Sequence, residues 1–173
     1  MAVYKIFPEK DAFILSQYPA QNTGRDEVLE VSNLNGINVD SSAAGDFPAV
    51  KRSLIQFNST DISNVITNKI GDAAFQSNLN LYLANAGNLP LDYTIEAYPV
   101  TQSWDMGTGK VSDSPKTTNG VSWTWRTESG SGAWATEGGD WITTTSGSQT
   151  FTYTTDKDIS MDVTNIVQLW NSG

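Results

Sequence analysis

Short apolar-rich runs separated by turn residues divide the chain: "AVYKIF", "AFILSQY", "EVLEVSN", "SLIQF", "LNLYLANA", "YTIEAYPVTQSW", "GVSWTWR", "TFTYTT" and "DISMDV". Several alternate with period 2. In "YTIEAYPV", Tyr93, Ile95, Ala97 and Pro99 fall on one face, with Thr94, Glu96, Tyr98 and Val100 on the other. Short, evenly spaced strands with Gly, Pro, Asn and Asp between them predict an all-β fold, an antiparallel β-sandwich or jelly roll. Two segments follow the helical period instead, at about 60–70 and 162–171. In the first, Ile62, Val65, Ile66 and Ile70 form the stripe, Thr60 or Asp61 is placed to cap it, and Gly71 ends it. In the second, Val163, Ile166, Val167 and Trp170 form the stripe, with Asp162 or Thr164 at its start and Trp170 expected as a core anchor. Residues 34–48, "LNGINVDSSAAGDFP", read as a long surface loop.

The chain has 173 residues, enough for a single domain, 1–173, with an adequate core. It contains no Cys and no His, which removes disulfides, thiolate and imidazole nucleophile systems, and the usual zinc and copper ligand sets. A net charge of -9 repels phosphate backbones and anionic bilayers, so neither nucleic acid nor membrane insertion is expected. Charged residues make up only 17%, and Ser, Thr, Asn and Gly carry the polarity, a composition that suits extracellular or particle-surface β proteins. The opening "MAVYKIFPEKDAF" lacks the basic and apolar regions of a secretory signal. A surface-type chain without an export signal is expected either as a virion protein, made in the host cytoplasm and released by lysis, or as a mature chain whose signal was removed.

Residues 119–141, "NGVSWTWRTESGSGAWATEGGDW", hold four of the six tryptophans. Taken as a strand, "VSWTWR" places Trp123 and Trp125 on one face, as core wall or as a sugar-stacking platform. Trp134 and Trp141 lie in chain too glycine-rich for a strand, which must fold back onto the body or display its indoles. Displayed, Trp125, Trp134 and Trp141 would offer stacking faces, with Arg126, Glu137 and Asp140 nearby to bond hydroxyls. No resident cofactor is expected. With oxygen ligands alone, Ca²⁺ is the one plausible ion, and Asp11, Asp156 and Asp158 are its candidates, although "DKDISMD" lacks the spacing of an EF-hand loop. No pair of carboxylates stands out for glycoside hydrolysis, so no catalytic residue is assigned and the chain is read as a non-enzyme. The "GTGK" at 107–110 is no P-loop, because Val111 replaces the required Ser or Thr and Trp104 stands where the first Gly belongs.

The order of motifs carries a resemblance. "DAF", "NTG", "KRSLIQFNSTDI", "LNLYLANA", "IEAYPVTQSWDMGTGK", "NGVSWTWR", "AWATEGGDW" and "DISMDVTNIVQLW" together resemble the DNRLRE-type domain, a β-sandwich related to carbohydrate-binding modules, over residues 11–173. "MAVYKIFPEKDAF" and "WDMGTGK…NGVSWTWR" also resemble a subgroup found in virion structural proteins of marine, cyanophage-like tailed phages. The resemblance implies an inward, structural role for Trp123. It also implies a further strand after the turn at Trp170–Gly173, where this chain stops; either that last strand is lacking, or a neighbouring chain supplies it by edge pairing, in a homo-oligomer or with other virion proteins. Two functions follow from the resemblance. One is a non-enzymatic virion structural protein in a head decoration, neck or tail fibre; the alternative is a carbohydrate-binding module or adhesin that recognises a surface polysaccharide through exposed tryptophans.

Overall fold

The computed structural model describes residues 2–34, 49–71, 74–84, 92–152 and 158–172. Nearly all of the expected 34–48 loop, and Asp156, lie outside the described residues. Among the described residues, strands in small antiparallel sheets dominate the regular structure, with short helical segments at the two expected places, in keeping with an all-β chain. The chain divides into two compact units. One comprises Phe7–Phe57 and Thr101–Asp140; the other comprises Met1–Ile6, Asn58–Val100 and Trp141–Gly173.

The first unit is built on a three-stranded sheet of β1 (Pro8–Leu15), β2 (Ser32–Leu34) and β3 (Ala49–Phe57), in the order β1-β3-β2. The β1–β3 ladder runs from Lys10 opposite Gln56 to Leu15 opposite Lys51. Ala12, Phe13, Ile14 and Leu15 are all buried, so this end of β1 is covered on both faces, as a continuous apolar run requires. The outer edge of β1 is closed by a side chain. Phe13 N–H donates to Thr23 Oγ1 at 3.0 Å, and the Thr23 hydroxyl donates to the Phe13 carbonyl. One residue thus replaces a strand partner at that position.

Next to it, Asn22 is fully buried and uses its entire side-chain capacity. Its Nδ2 donates to the carbonyls of Met106 and Val121, both at 2.8 Å, while Oδ1 accepts from the N–H groups of Gly24 at 3.2 Å and Gly109 at 2.8 Å. The node closes only because backbone approaches it directly. Gly107 has φ +76°, and a Cβ there would lie 2.4 Å from Asn22 Oδ1 and 2.0 Å from the Asn119 carbonyl. The "NTG" and "GTGK" motifs are therefore two halves of one structural lock.

In the second unit, helix α1 (Ser59–Asn64) is capped by Asn58, two residues before the expected Thr60 and three before Asp61. The extended ψ of 118° at Asn58 lets its side chain accept from the N–H groups of Thr60 and Asp61. The helix widens into a π-helical turn (Val65–Ile70) that ends where Gly71, at φ +67°, donates to the Ile66 carbonyl. Ile62 and Ile66 are buried, as the stripe predicts. Two ribbons follow: β4 (Asn78–Leu81) with β7 (Ile159–Asp162), and β5 (Tyr93–Ala97) with β6 (Gly147–Phe151). On β5, Tyr93, Ile95 and Ala97 are half-buried while Thr94 and Glu96 are exposed, matching the period-2 reading. The Tyr93 ring stacks on Phe151 at 5.1 Å. Helix α2 (Thr164–Ser172) buries Ile166, but Trp170 is 40% exposed and is not the expected core anchor. It stands on the last turn of a nine-residue helix.

The strand expected from "AVYKIF" is absent, and "GVSWTWR" and most of "EVLEVSN" are likewise outside strands.

Candidate functional site

Residues 119–141 form irregular chain tied by local bonds. Ser122 is fully buried; its N–H donates to the Trp125 carbonyl at 2.7 Å, and its Oγ accepts from Trp125 N–H at 3.2 Å. This back-bonding folds "VSWTW" into a turn, which replaces the expected strand and its shared Trp face. A single antiparallel bridge between Trp125 and Ala133 then closes the chain on itself.

Trp134 is 5% exposed, and its Nε1–H donates to the Ser122 carbonyl at 3.0 Å. The stretch has folded back, so Trp134 offers no stacking face, contrary to the display reading. Trp123 is half-buried beneath Arg52, whose guanidinium lies 4.9 Å from the ring and donates to the Gly138 carbonyl at 2.7 Å. Burial lowers the Arg52 pKa from its ordinary value. Gly138, at φ +89°, leaves room for that stack: a Cβ there would lie 2.8 Å from Trp123 Cζ2 and 2.4 Å from Arg52 Nη1.

Trp125 is half-buried. Arg126 Nη1 donates to the Ser103 carbonyl at 3.2 Å, and its Nε is buried without a partner. Glu137 is exposed, with Oε1 accepting from Thr124 Oγ1 at 3.2 Å. The Asp140 carboxylate is committed to its own loop, accepting from Ala135 N at 2.7 Å, Thr136 N at 2.8 Å and Gln102 Nε2 at 3.0 Å. That leaves it little capacity for ligand hydroxyls. Trp141 belongs to the other unit, where it bridges Val100 and tilts against Tyr98 at 6.4 Å. Within the first unit, Trp134 is buried and the Asp140 carboxylate is taken up by backbone N–H groups and Gln102, while Trp125, Arg126 and Glu137 keep part of their surface.

Of the calcium candidates, Asp11 is half-buried on β1 opposite Ile55, and Asp158 Oδ1 accepts from Leu83 N–H at 2.7 Å in the other unit. No group of three or more acidic side chains among the described residues is placed to hold an ion.

A different place in the first unit combines concavity with a displayed ring. A shallow, open depression of about 320 Å³ is lined by Asp26, Glu27, Val28, Glu30, Lys110 and Ser112. Its walls are the chain after the Asn22 node and the loop after "GTGK", fastened where Val111 N–H donates to Asp26 Oδ2 at 2.9 Å and Arg25 N–H to the Gly109 carbonyl at 2.9 Å. Lys110 pairs with Glu27 at 3.6 Å, and Glu30 pairs with Lys51. Asp113 folds the loop: Oδ2 accepts from Thr117 Oγ1 at 2.6 Å and Lys110 N–H at 2.8 Å, and these bonds hold its carboxyl below the usual range. From the same loop the Lys116 ammonium lies 4.9 Å from the Tyr18 ring centroid and donates to the Val111 carbonyl at 2.7 Å. Tyr18 is 42% exposed. Sequence reasoning passed over it, because a lone Tyr in "SQYPAQ" has no aromatic neighbour to signal a platform.

The model of carbohydrate-binding module family 96 matches residues 2–136, more than half of the chain. The matched stretch includes Tyr18, the depression, Trp125 and Trp134, and it leaves out Glu137, Asp140 and Trp141. The match favours the alternative expectation, glycan recognition, over a virion structural role, for which no finding speaks. Neither the curated proteins nor the solved structures gave a match. No helix among the described residues is long and apolar enough to cross a membrane.

Proposed function

Because the chain belongs to carbohydrate-binding module family 96, we propose that it is a non-catalytic domain that binds a polysaccharide, its small sheets arranged as the β-sandwich its strand pattern predicts. The family match over residues 2–136 is the observation that carries this reading. The absence of His and Cys supports the non-catalytic part, since it removes the imidazole and thiolate groups most used in acid–base and nucleophilic catalysis. Electrophoresis through native gels cast with neutral, anionic or cationic polysaccharide tests it. At least one class retards the chain without releasing new reducing ends. Free migration through every gel would refute the reading.

A further inference from the structure

We propose that Asn119–Gly120 is a modification site, a latent point of spontaneous deamidation that Thr108 holds closed, and that its conversion to isoaspartate undoes the Asn22 lock.

The sequence has two Asn-Gly steps, Asn35–Gly36 and Asn119–Gly120. In such a step no Cβ shields the glycine nitrogen, which is free to attack the side-chain amide carbon of the asparagine before it. At 119–120 a bond forms from Gly120 N to Asn119 Cγ, the Cγ–Nδ2 bond breaks, and ammonia leaves. The proton lost from Gly120 N is balanced by one taken up by the departing nitrogen. Water then opens the cyclic imide at either carbonyl, to leave aspartate or isoaspartate. Water is the one co-reactant, and nothing is oxidised or reduced.

The lock requires this dipeptide. Gly120 has φ +108°, and a Cβ there would lie 2.5 Å from Gly107 Cα and 2.9 Å from Asn22 Nδ2. Asn119 fastens the turn to Thr108. Its Oδ1 accepts from Thr108 N–H at 3.1 Å and from the Thr108 hydroxyl at 3.2 Å, and its Nδ2 donates to the same hydroxyl at 2.9 Å. A step prone to cyclise therefore stands where the two halves of the lock meet.

The same bonds delay the reaction. Asn119 is exposed, so water reaches its side chain and ammonia can leave. What opposes attack is immobility. The amide must turn its face to Gly120 N, and Thr108 holds it edge-on through both its oxygen and its nitrogen. The main chain around it is pinned as well: Asn22 N–H donates to the Thr117 carbonyl at 2.9 Å, Ser129 N–H to the Thr118 carbonyl at 3.1 Å, and Val121 N–H to the Asp105 carbonyl at 2.7 Å. Gly120 is buried, which keeps hydroxide from its N–H. The reaction thus waits on local opening, whose population sets its rate. Isoaspartate carries the main chain through the former side chain and lengthens it by a methylene. That displaces the Val121 carbonyl, which accepts from Asn22 Nδ2 at 2.8 Å, and adds a carboxylate to a chain of net charge -9.

The test incubates the whole chain at mildly alkaline pH, native or unfolded in urea, and follows both Asn-Gly peptides by mass spectrometry, with isoaspartate identified by enzymatic methylation. In urea the two steps are expected to convert at similar rates. In the native chain, conversion at 119 should be at least about 10-fold slower than in urea. Thr108→Val should speed native conversion by about 10-fold, the gain in open population from losing the hydroxyl's neutral hydrogen bonds, while Thr108→Ser keeps the wild-type rate. Asp162→Asn, which weakens the other unit, should leave the rate at 119 unchanged and so separates the clamp from a general loss of stability. Converted chains, separated on an anion exchanger by their added charge, should unfold at lower urea than unconverted ones. Native conversion as fast as in urea would overturn the latency. A Thr108→Val rate equal to wild type, or a Thr108→Ser rate equal to that of Thr108→Val, would overturn the role of Thr108. Equal urea midpoints before and after conversion would overturn the link to the lock.

Discussion

Trp134 and Tyr18 both stand on irregular chain in the same unit, yet one is 5% exposed and the other 42%. Residues 119–141 hold four tryptophans, of which Trp134 is buried and the other three are half-buried. Glycine is the reason. Gly138 lets backbone and guanidinium close on Trp123, and the Trp134 indole finds its acceptor on a Ser122 carbonyl inside the turn. The 16–20 and 110–117 turns hold no tryptophan, and their ring remains at the surface, held by an ammonium. A cluster of indoles among glycines is thus a packing signal, because glycine supplies the close approach that a buried flat ring needs. Tyr18 instead stays outside, on a turn that leads directly into the Asn22 lock.

The most severe way to break that contrast is to remove the lock. Asn22→Ala strands two N–H groups and two carbonyls in a fully buried place, and it should cost about 4 kcal/mol or more of stability. Urea denaturation would measure it against the exposed Asn33→Ala as control. Equal midpoints would mean that the node contributes nothing beyond what water would supply.

Trp134 tests the packed side. Trp134→Ala should cost about 3–5 kcal/mol as a large buried ring is lost. Trp134→Phe keeps much of the volume but orphans the Ser122 carbonyl, and it should cost about 1–3 kcal/mol. Calorimetry would separate the two. In polysaccharide gels run well below the unfolding temperature, Trp134→Phe should migrate as wild type; a weakened retardation would return the indole to the ligand site.

Fold class was legible because β1, β5 and the 59–70 helical segment obey simple periods: apolar runs for a strand covered on both faces, alternation for a half-buried one, and an Ile stripe for the helix. "GVSWTWR" alternates as well, but Ser122 bonds its own neighbourhood and converts the run into a turn, a competition that periodicity cannot register. The candidate site was less legible. Asp140 reads as a surface acid and proves to be a loop clasp, because its partners are the N–H groups of Ala135 and Thr136, which no composition reveals. The acids at 26–30 are joined by Lys110 and Ser112 only through contacts across roughly ninety positions of chain, such as Gln21 to Lys110, so nothing local announces the grouping.

Acid offers the mildest test, and it separates the displayed loop from the rest of the molecule. Asp113 and Asp162 both have carboxyl pKa values lowered by hydrogen bonding, Asp113 chiefly by the Thr117 hydroxyl and Lys110 N–H, Asp162 chiefly by the Thr164 hydroxyl and N–H. A carboxyl whose folded pKa is below its unfolded one contributes stability that is complete above the unfolded value and disappears as pH falls through the folded one. The wild-type unfolding midpoint should therefore drop as pH falls below about 4. Asp113→Asn and Asp162→Asn should each start lower at pH 7 and show a shallower acid decline. Their effects on binding should differ. Asp113 folds the 110–117 loop that carries Lys116, whereas Asp162 pins the start of α2 in the other unit. Asp113→Asn should then weaken retardation by whichever polysaccharide holds the wild type already at pH 7, and Asp162→Asn should leave it unchanged. If both variants bind as wild type, the fold of the 110–117 loop does not determine the presentation of Tyr18. The difference between the hidden indoles and the displayed phenol would then lie in the rings' own contacts and owe nothing to the loop beneath.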